Sequence, residues 1–391
     1  MTKEETYSLI FGGGAIRGLA YIGAIKAIQE LELKYDTIVG SSVGAIVATL
    51  LALGHTYLEI RDIFIEVNFE LFKDIHFGIG KNFALSKGEI FTSWMRENIE
   101  RKFYGKNYIK GKNKPVTFEN LDINLLVYTT DLISFKCKEF SKELTPNFEI
   151  AEAVRISCSM PGLMTPTDMD GMKLVDGDLL KSMPLWKLSN NLKLSTNRIM
   201  EFRLEGEYTK VENNAIDFFN AIYSCMTSAA TEYIISNYGD SDDFDYVKIN
   251  TGDVIIVDFN MNKTSRNSLI ESGYQQVIDY LKGSFKYKNE RLVKEYKNVL
   301  FVLIRLMDYI KSDKVVESKF KLGALFIILF DLKDIFSNSI ITKISDFNKE
   351  FTISSNSRTW YGKPCFKEKT KLLKSLTKII YLVNSRIEKL S

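Results

Sequence analysis

The pattern of hydrophobic and polar positions changes character along the chain. Tyr7–Phe11 is a short, mostly apolar run that meets Gly12-Gly13-Gly14, predicting a buried strand that opens into a glycine turn. From Gly18, apolar residues recur at Ala20, Ile22, Ile25, Ile28 and Leu31, the spacing of an amphipathic helix. Asp36–Val39 reads as a second strand, Gly40-Ser41-Ser42-Val43-Gly44 as a turn, and Ala45–Leu53 as an apolar helix stopped by Gly54. Strand, glycine turn and helix, taken twice, predict an α/β layered fold. Asn124–Thr130, Lys173–Val175, Ile199–Leu204 and Asp253–Val257 predict later strands, and Phe148–Ile156 and Asn214–Ser236 predict helices. Residues 56–110 mix helix and loop, and no internal repeat is visible. After about residue 280 the spacing becomes helical, at Asn298–Ile310, Val315–Phe336 and Thr370–Leu390.

Composition adds a boundary to this picture. Sixteen of 23 glycines and five of six prolines precede residue 185, so tight turns, and the chemistry built on them, belong to that half. The net charge of +3 over 391 residues hides a split. Residues 281–391 hold 23 Lys/Arg against 11 Asp/Glu, and residues 1–280 hold 29 against 38. The basic segment suits anionic lipid head groups, nucleic acid or an acidic protein, or is simply a solvated basic face. Its Lys/Arg residues alternate with Leu, Ile, Phe and Val, as on an interfacial helix, and no nucleic-acid-binding motif accompanies them. A possible anionic membrane surface is therefore the partner expected for residues 281–391, and nucleic acid is not.

Several classes drop out. Cys137, Cys158, Cys225 and Cys365 are scattered, which argues against a disulfide framework or a zinc site and for a reducing compartment. The two histidines, His55 and His76, have no metal-ligand spacing. No secretory or lipidation signal and no span-length apolar run is read, so the expected location is cytoplasmic or intracellular, at most peripheral to a membrane.

The sharpest local feature is Gly40-x-Ser42-x-Gly44 between an apolar strand and an apolar helix. A serine on such a turn is pushed out of the sheet, above a helix N-terminus that favours developing negative charge. The alternative is a plain phosphate or backbone turn. A nucleophilic serine needs a base, and His55 lies at the far end of the same helix, ~18 Å away by helix rise; His76 falls in a loop-rich stretch. A carboxylate is left, and Asp176, closing a short strand before Gly177, is the candidate, against the reading of an ordinary Asp-Gly turn. The third element, Gly12-Gly13-Gly14-Ala15-Ile16-Arg17-Gly18, exposes backbone N–H groups able to hold an oxyanion or a phosphate. It lacks the Gly-Lys-Ser/Thr of a P-loop and the acid that a dinucleotide site wants at the end of the second strand. Asp131 reads as structural, Asp240, Asp242, Asp243 and Asp245 as a solvated loop, and Phe69, Phe72, Phe77 and Trp94 as core.

In this order the three elements resemble the patatin-like phospholipases over roughly residues 7–188. The glycine loop with Arg17-Gly18 is similar to the family's oxyanion loop, and Gly40–Gly44 to its nucleophile elbow. Ala153–Ser157 running to Met160-Pro161 and Pro166 matches the segment before the aspartate, and Val175-Asp176-Gly177 with Pro184 matches the dyad motif. The resemblance implies a three-layer α/β/α fold with a mainly parallel central sheet, continued by residues 189–280 and followed by a helical basic extension, 281–391. It implies a lipid acyl hydrolase acting on phospholipid or another acyl lipid, with no metal or cofactor. Ser42 would be the nucleophile and Asp176 the general base. Gly13, Gly14 and Arg17 would form the oxyanion site, with Gly12, Gly18, Gly40, Gly44 and Gly177 in support. Ala15 stands where the family usually has its last clustered glycine, Asp178 where Gly or Ala is usual, and Ser182 where Asn is often found; the last two are expected to stand clear of the dyad. The alternatives are a non-catalytic lipid-binding or interaction protein on the same fold and a small-ester serine esterase.

Overall fold

Strand β1 (Thr6–Phe11) enters a short 3-10 turn at Ala15–Gly18 and then helix α1 (Leu19–Glu30). Strand β2 (Lys34–Ser41) leads directly into α2 (Val43–Ala52), and α3 (Tyr57–Glu66) follows. This computed structural model describes residues 6–73, 84–180, 198–206, 221, 225, 244–254, 258, 260–331, 338–355, 357–358 and 364–390. Next come β3 (Ala84–Ser86), α4 (Glu89–Tyr104), β4 (Asn124–Asp131), β5 (Lys136–Ser141) and α5 (Ile150–Ser157). The short strands β6 (Gly162–Met164), β7 (Thr167–Met169) and β8 (Met172–Val175) precede β9 (Arg198–Glu205) and β10 (Phe244–Asn250). Helix α6 (Lys263–Lys311) is followed by α7 (Val315–Asp331), α8 (Asn338–Ser355), the two-residue strands β11 (Ser357–Arg358) and β12 (Pro364–Cys365), and α9 (Lys369–Leu390).

Eight strands form one sheet in the order β10-β9-β1-β2-β4-β8-β7, with β5 also on β4. β10, β9, β1, β2 and β4 run parallel; β5, β7 and β8 are antiparallel. Leu9, Ile10 and Phe11 are successive and all fully buried, as are Ile38 and Val39. Neighbouring strand residues point to opposite faces, so the sheet is covered on both sides, the mark of a layered α/β fold. Ile10, Val39, Leu126, Tyr128, Ile199 and Phe244 cluster on one face, while Phe11 on the other packs edge-on against Tyr21 of α1.

The register of β4 brings distant segments together. Its far edge is taken by β5 from Leu126 to Asp131. Its near edge is shared: β2 pairs with it up to Ser41–Tyr128, and β8, running the opposite way, pairs at Thr130–Val175 and Asp131–Leu174. The two strands therefore approach head-on along one edge, and the residues after each, Ser42 and Asp176, meet.

Several sequence expectations change. α1 is not amphipathic but buried almost all round, because the start of α6 covers its outer side, with Gly23 and Gly273 meeting backbone to backbone. β10 replaces the solvated acidic loop at Asp245, which is buried and bonded to Arg198 and Tyr280; Asp240, Asp242 and Asp243 fall outside the described residues. Of the strand expected at Asp253–Val257, Asp253 and Val254 lie in and after a turn, and the remaining three residues lie outside the described residues, as does the helix expected at Asn214–Ser236 but for residues 221 and 225. The helix expected at Asn298–Ile310 is the end of the 49-residue α6, and α8 and β5 were not anticipated. Phe64, Phe69, Phe72, Phe91 and Trp94 form one aromatic cluster, as core residues do.

The chain divides into two compact units, Glu4–Tyr280 and Leu281–Ser391. The second has its own apolar core, including Leu303, Leu306 and Ile310 of α6, Leu325 of α7, Ile344 and Phe347 of α8, and Leu376 and Val383 of α9.

Candidate active site

Ser42 sits at the junction of β2 and α2 with φ 53 and ψ −129, a conformation that an L-residue holds only under constraint. The constraint is visible on both sides. A Cβ on Gly44 would lie 2.1 Å from the Phe11 carbonyl oxygen, and one on Gly40 would lie 2.5 Å from the Gly44 oxygen. Only glycines let the turn close this tightly. Ser42 N–H donates to Ser157 Oγ at 2.9 Å, and that hydroxyl donates to the Tyr128 carbonyl at 2.6 Å. The Ser42 side chain makes no cap bond to α2. Its Oγ donates instead to Asp176 Oδ2 at 2.7 Å.

Asp176 is fully buried at the end of β8. Its N–H donates to the Ser159 carbonyl, and Gly177 N–H to the Ser157 carbonyl. Oδ1 accepts from the Asp178 N–H at 2.8 Å. That is an Asx turn, so the ordinary turn reading of Asp-Gly and the site reading are both realised: one carboxylate oxygen closes the turn and the other faces Ser42. A Cβ on Gly177 would fall 2.0 Å from the Tyr128 oxygen, which is why the turn can approach β4.

The glycine loop lies against the same two segments. Gly12 is covered by the Arg203 guanidinium, Gly13 by the Asp178 side chain, and Gly18 by the Val43 side chain. Gly14 has φ 148 and Ala15 φ 47. Among the described residues, the N–H groups of Gly13 and Gly14 have no hydrogen-bond acceptor. Arg17 Nε donates to the Val254 carbonyl at 2.7 Å, fastening the loop to the segment after β10, and burial lowers the pKa of its guanidinium.

Beneath the loop is a buried ionic cluster that the sequence reading missed. Arg203 of β9 donates to Glu201 and, at 3.0 Å, to Asp178 Oδ1, which also receives Ser41 Oγ–H. All three charged residues are at most 3% exposed. Burial opposes the guanidinium charge, and the two carboxylates outweigh it, so the Arg203 pKa is raised. Asp178 does not stand clear of the Ser42–Asp176 pair, because its backbone N–H donates to Asp176 and its side chain carries the ion pair. The alternation Glu201-x-Arg203 in an apolar strand was the available signal, since a charge at a buried strand position needs a partner.

His55 is remote from this arrangement. It follows Gly54 at the C-terminal end of α2, where its N–H donates to the Leu50 carbonyl. Asp131 is structural: it accepts the N–H groups of Ile133, Ser134 and Lys173. His76, Phe77, Ser182 and Pro184 lie outside the described residues, and no group of three metal-ligating side chains occurs among the described ones.

Residues 9–188 match the family model of the patatin-like phospholipases. The chain carries a patatin-like phospholipase domain. It is 27% identical to the Bacillus subtilis protein YqhO over 294 residues, which covers 70% of this chain and 97% of that protein. It is 28% identical over 196 residues to protein 463L of invertebrate iridescent virus 6, named a probable lipid hydrolase, covering 47% of this chain and 63% of that one. The crystal structure of VipD from Legionella pneumophila shares the fold, with a TM-score of 0.53 at 16% identity, over 97% of this chain and 91% of that chain. No helix among the described residues is long and apolar enough to cross a membrane.

Proposed function

We propose that the protein cleaves fatty acyl esters of phospholipids or related acyl lipids through an acyl-enzyme on Ser42, with Asp176 as general base. The observation that carries this reading is the 2.7 Å hydrogen bond from Ser42 Oγ to Asp176 Oδ2 at a positive-φ elbow. Asp176 takes the hydroxyl proton as Ser42 Oγ attacks the ester carbonyl. The tetrahedral oxyanion is held by the N–H groups of Gly13 and Gly14, where each donor is typically worth about 3–4 kcal/mol of barrier. Arg17 holds the loop through Val254. The alcohol leaves with the proton from Asp176. The same carboxylate then takes a proton from the water that attacks the acyl-enzyme and returns it to Ser42 Oγ as the fatty acid is released, which restores the free enzyme. The scheme draws on side chains and backbone groups alone. Residues 281–391, with 23 basic against 11 acidic side chains, suit an anionic membrane surface.

The test is fatty acid release from mixed phospholipid vesicles, with chelator present, by the wild type, Ser42→Ala and Asp176→Asn. Both variants are expected to lose at least ~10³-fold in rate. Release that survives Ser42→Ala would overturn the assignment. Cleavage confined to small soluble esters would favour an esterase, and vesicle binding without any cleavage a lipid-binding protein.

A further inference from the structure

The β4–β5 hairpin tip exposes two large apolar side chains: Ile133 is 60% and Phe135 76% accessible to solvent. Phe135 also has φ 56, at a hairpin position where glycine or asparagine fits without strain and a bulky residue is an outlier. The turn is fastened just ahead of this phenylalanine. The Asp131 carboxylate accepts the N–H groups of Ile133 at 3.1 Å, Ser134 at 3.2 Å and, across the sheet, Lys173 at 3.0 Å.

The tip's position follows from the register. Ser42 and Asp176 meet beside Thr129, between the β2 pairing that ends at Tyr128 and the β8 pairing that begins at Thr130. β4 ends at Asp131, two residues past that level, and the turn 132–135 closes there onto Lys136, so the tip stands roughly 10 Å past the dyad, on the same rim of the sheet. Exposed Lys136 follows at once. Lys173 on the neighbouring strand pairs with Asp168, and Asp170 at the adjacent turn is the other exposed acid.

We propose that this tip is an apolar anchor for a phospholipid bilayer, entering its outer hydrocarbon edge and setting the Ser42 end of the sheet against the lipid. The choice of a bilayer over a protein rests on area. Two side chains cover far less than the roughly 800 Å² per partner of a stable protein interface, whereas a bilayer accepts an isolated apolar wedge and needs no matching surface. Lys136 is placed to keep its ammonium among head groups. The inference rests on the hydrolase reading only for why the rim should meet lipid.

The experiment uses the full chain in a Ser42→Ala background, so that lipid is not consumed, with phosphatidylcholine vesicles in high salt to screen the basic residues of 281–391. Adding Ile133→Ser with Phe135→Gly should lower the vesicle partition coefficient by at least ~10-fold without lowering the unfolding temperature. In the Phe135→Trp variant, emission should shift to the blue on vesicle addition. Undiminished binding by the double variant, an unshifted emission at saturating vesicle, or no vesicle binding before the tip is changed would each overturn the anchor. So would loss of self-association in the double variant with vesicle binding intact, which would give the tip to a second copy. With wild-type Ser42, the Phe135→Gly variant should keep its rate on a soluble short-chain ester. Intact tip-dependent binding with no hydrolysis by the wild type would refute the hydrolase reading and leave the anchor standing.

Discussion

In the Glu4–Tyr280 unit, Ser41, Ser42, Ser157, Ser159, Asp176, Asp178, Glu201 and Arg203 are all at most 7% exposed. In Leu281–Ser391, richer in charge for its length, the residues buried with polar side chains among the described ones offer only hydroxyls, those of Ser318, Ser354 and Ser355 and that of Tyr296, in and beside a cluster running from Tyr296 to Val383. One unit spends burial on polar groups at the end of a sheet; the other keeps its charges outside an apolar helical core. The contrast teaches that an abundance of charge says little about a site. Buried charge needs partners, and those partners fix geometry. Solvated charge sets only the kind of surface a unit can meet.

The largest expected effect tests the buried charges. Arg203→Leu would leave Glu201 and Asp178 buried without their cation, a change that typically costs about 3–5 kcal/mol. The unfolding temperature should fall by roughly 10 °C for a unit of this size, and ester hydrolysis should fall with it as Asp178 shifts against Gly13. Calorimetry with a rate assay checks both. An unchanged transition would remove the ion cluster from the account of the site.

The counterpart in the other unit is Leu376→Ala. Leu376 is fully buried in the apolar cluster, and its truncation should cost about 2–5 kcal/mol. Here the rate on a soluble ester should stay near wild type while denaturant unfolding shifts. A matching loss of rate would break the division of labour between the units. The basic surface is tested more gently by Lys374→Gln with Lys378→Gln, two exposed positions on α9. Binding to anionic vesicles should weaken at low salt and converge with wild type at high salt. Truncation after residue 280 is a poorer probe, because it cuts through α6.

A smaller effect is written in pH. Burial first, and the Lys102 charge second, lower the His55 pKa from its ordinary 6.5 to about 4 against a weaker opposing pull from Glu59. The folded state then binds a proton less readily than the unfolded chain. The stability it contributes is complete above about pH 6.5 and is lost as pH falls toward 4, by about 2–3 kcal/mol at the bottom of that window. A titration of unfolding temperature between pH 7 and 4 should show the loss, and His55→Gln should flatten it. Equal slopes would mean that other groups set the acid limit.

That Ser42 and Asp176 belong together was legible because their motifs are local: Gly40-x-Ser42-x-Gly44 and Val175-Asp176-Gly177 each lie within five residues. What joins them was not. The shared edge of β4 is a matter of register, and the Arg203–Asp178 pair joins a strand to a turn that no local pattern links. β10 was hidden because Asp245, a residue type that argues against a strand, is neutralised there by Arg198. In the helical unit, periodicity found α7 and α9 but not α8, whose Asn, Ser, Thr and Asp residues weaken the helical signal. That unit carries no motif, so its helices were readable and its task was not.

The smallest expected effect lies at the one departure in the glycine loop whose backbone explains it. Ala15, where the family usually has its last clustered glycine, holds φ 47. An alanine there is strained, whereas glycine visits the left-handed region freely. Ala15→Gly should relieve roughly 1 kcal/mol of that strain in the folded state. Glycine also gives the unfolded chain more freedom, which takes back about 0.4–1 kcal/mol. The net change in stability should therefore be within about 0.5 kcal/mol of zero, where an exposed helical Ala→Gly would lose about 1 kcal/mol. The rate is the sharper readout. If Gly13 and Gly14 present their N–H groups to the oxyanion, a loop that keeps its left-handed turn keeps them in place, and Ala15→Gly should retain the wild-type rate. Ala15→Val, β-branched and unsuited to positive φ, should lose rate more steeply than stability. Equal losses in both would mean that the loop only packs, and would withdraw it from the chemistry that separates the two units.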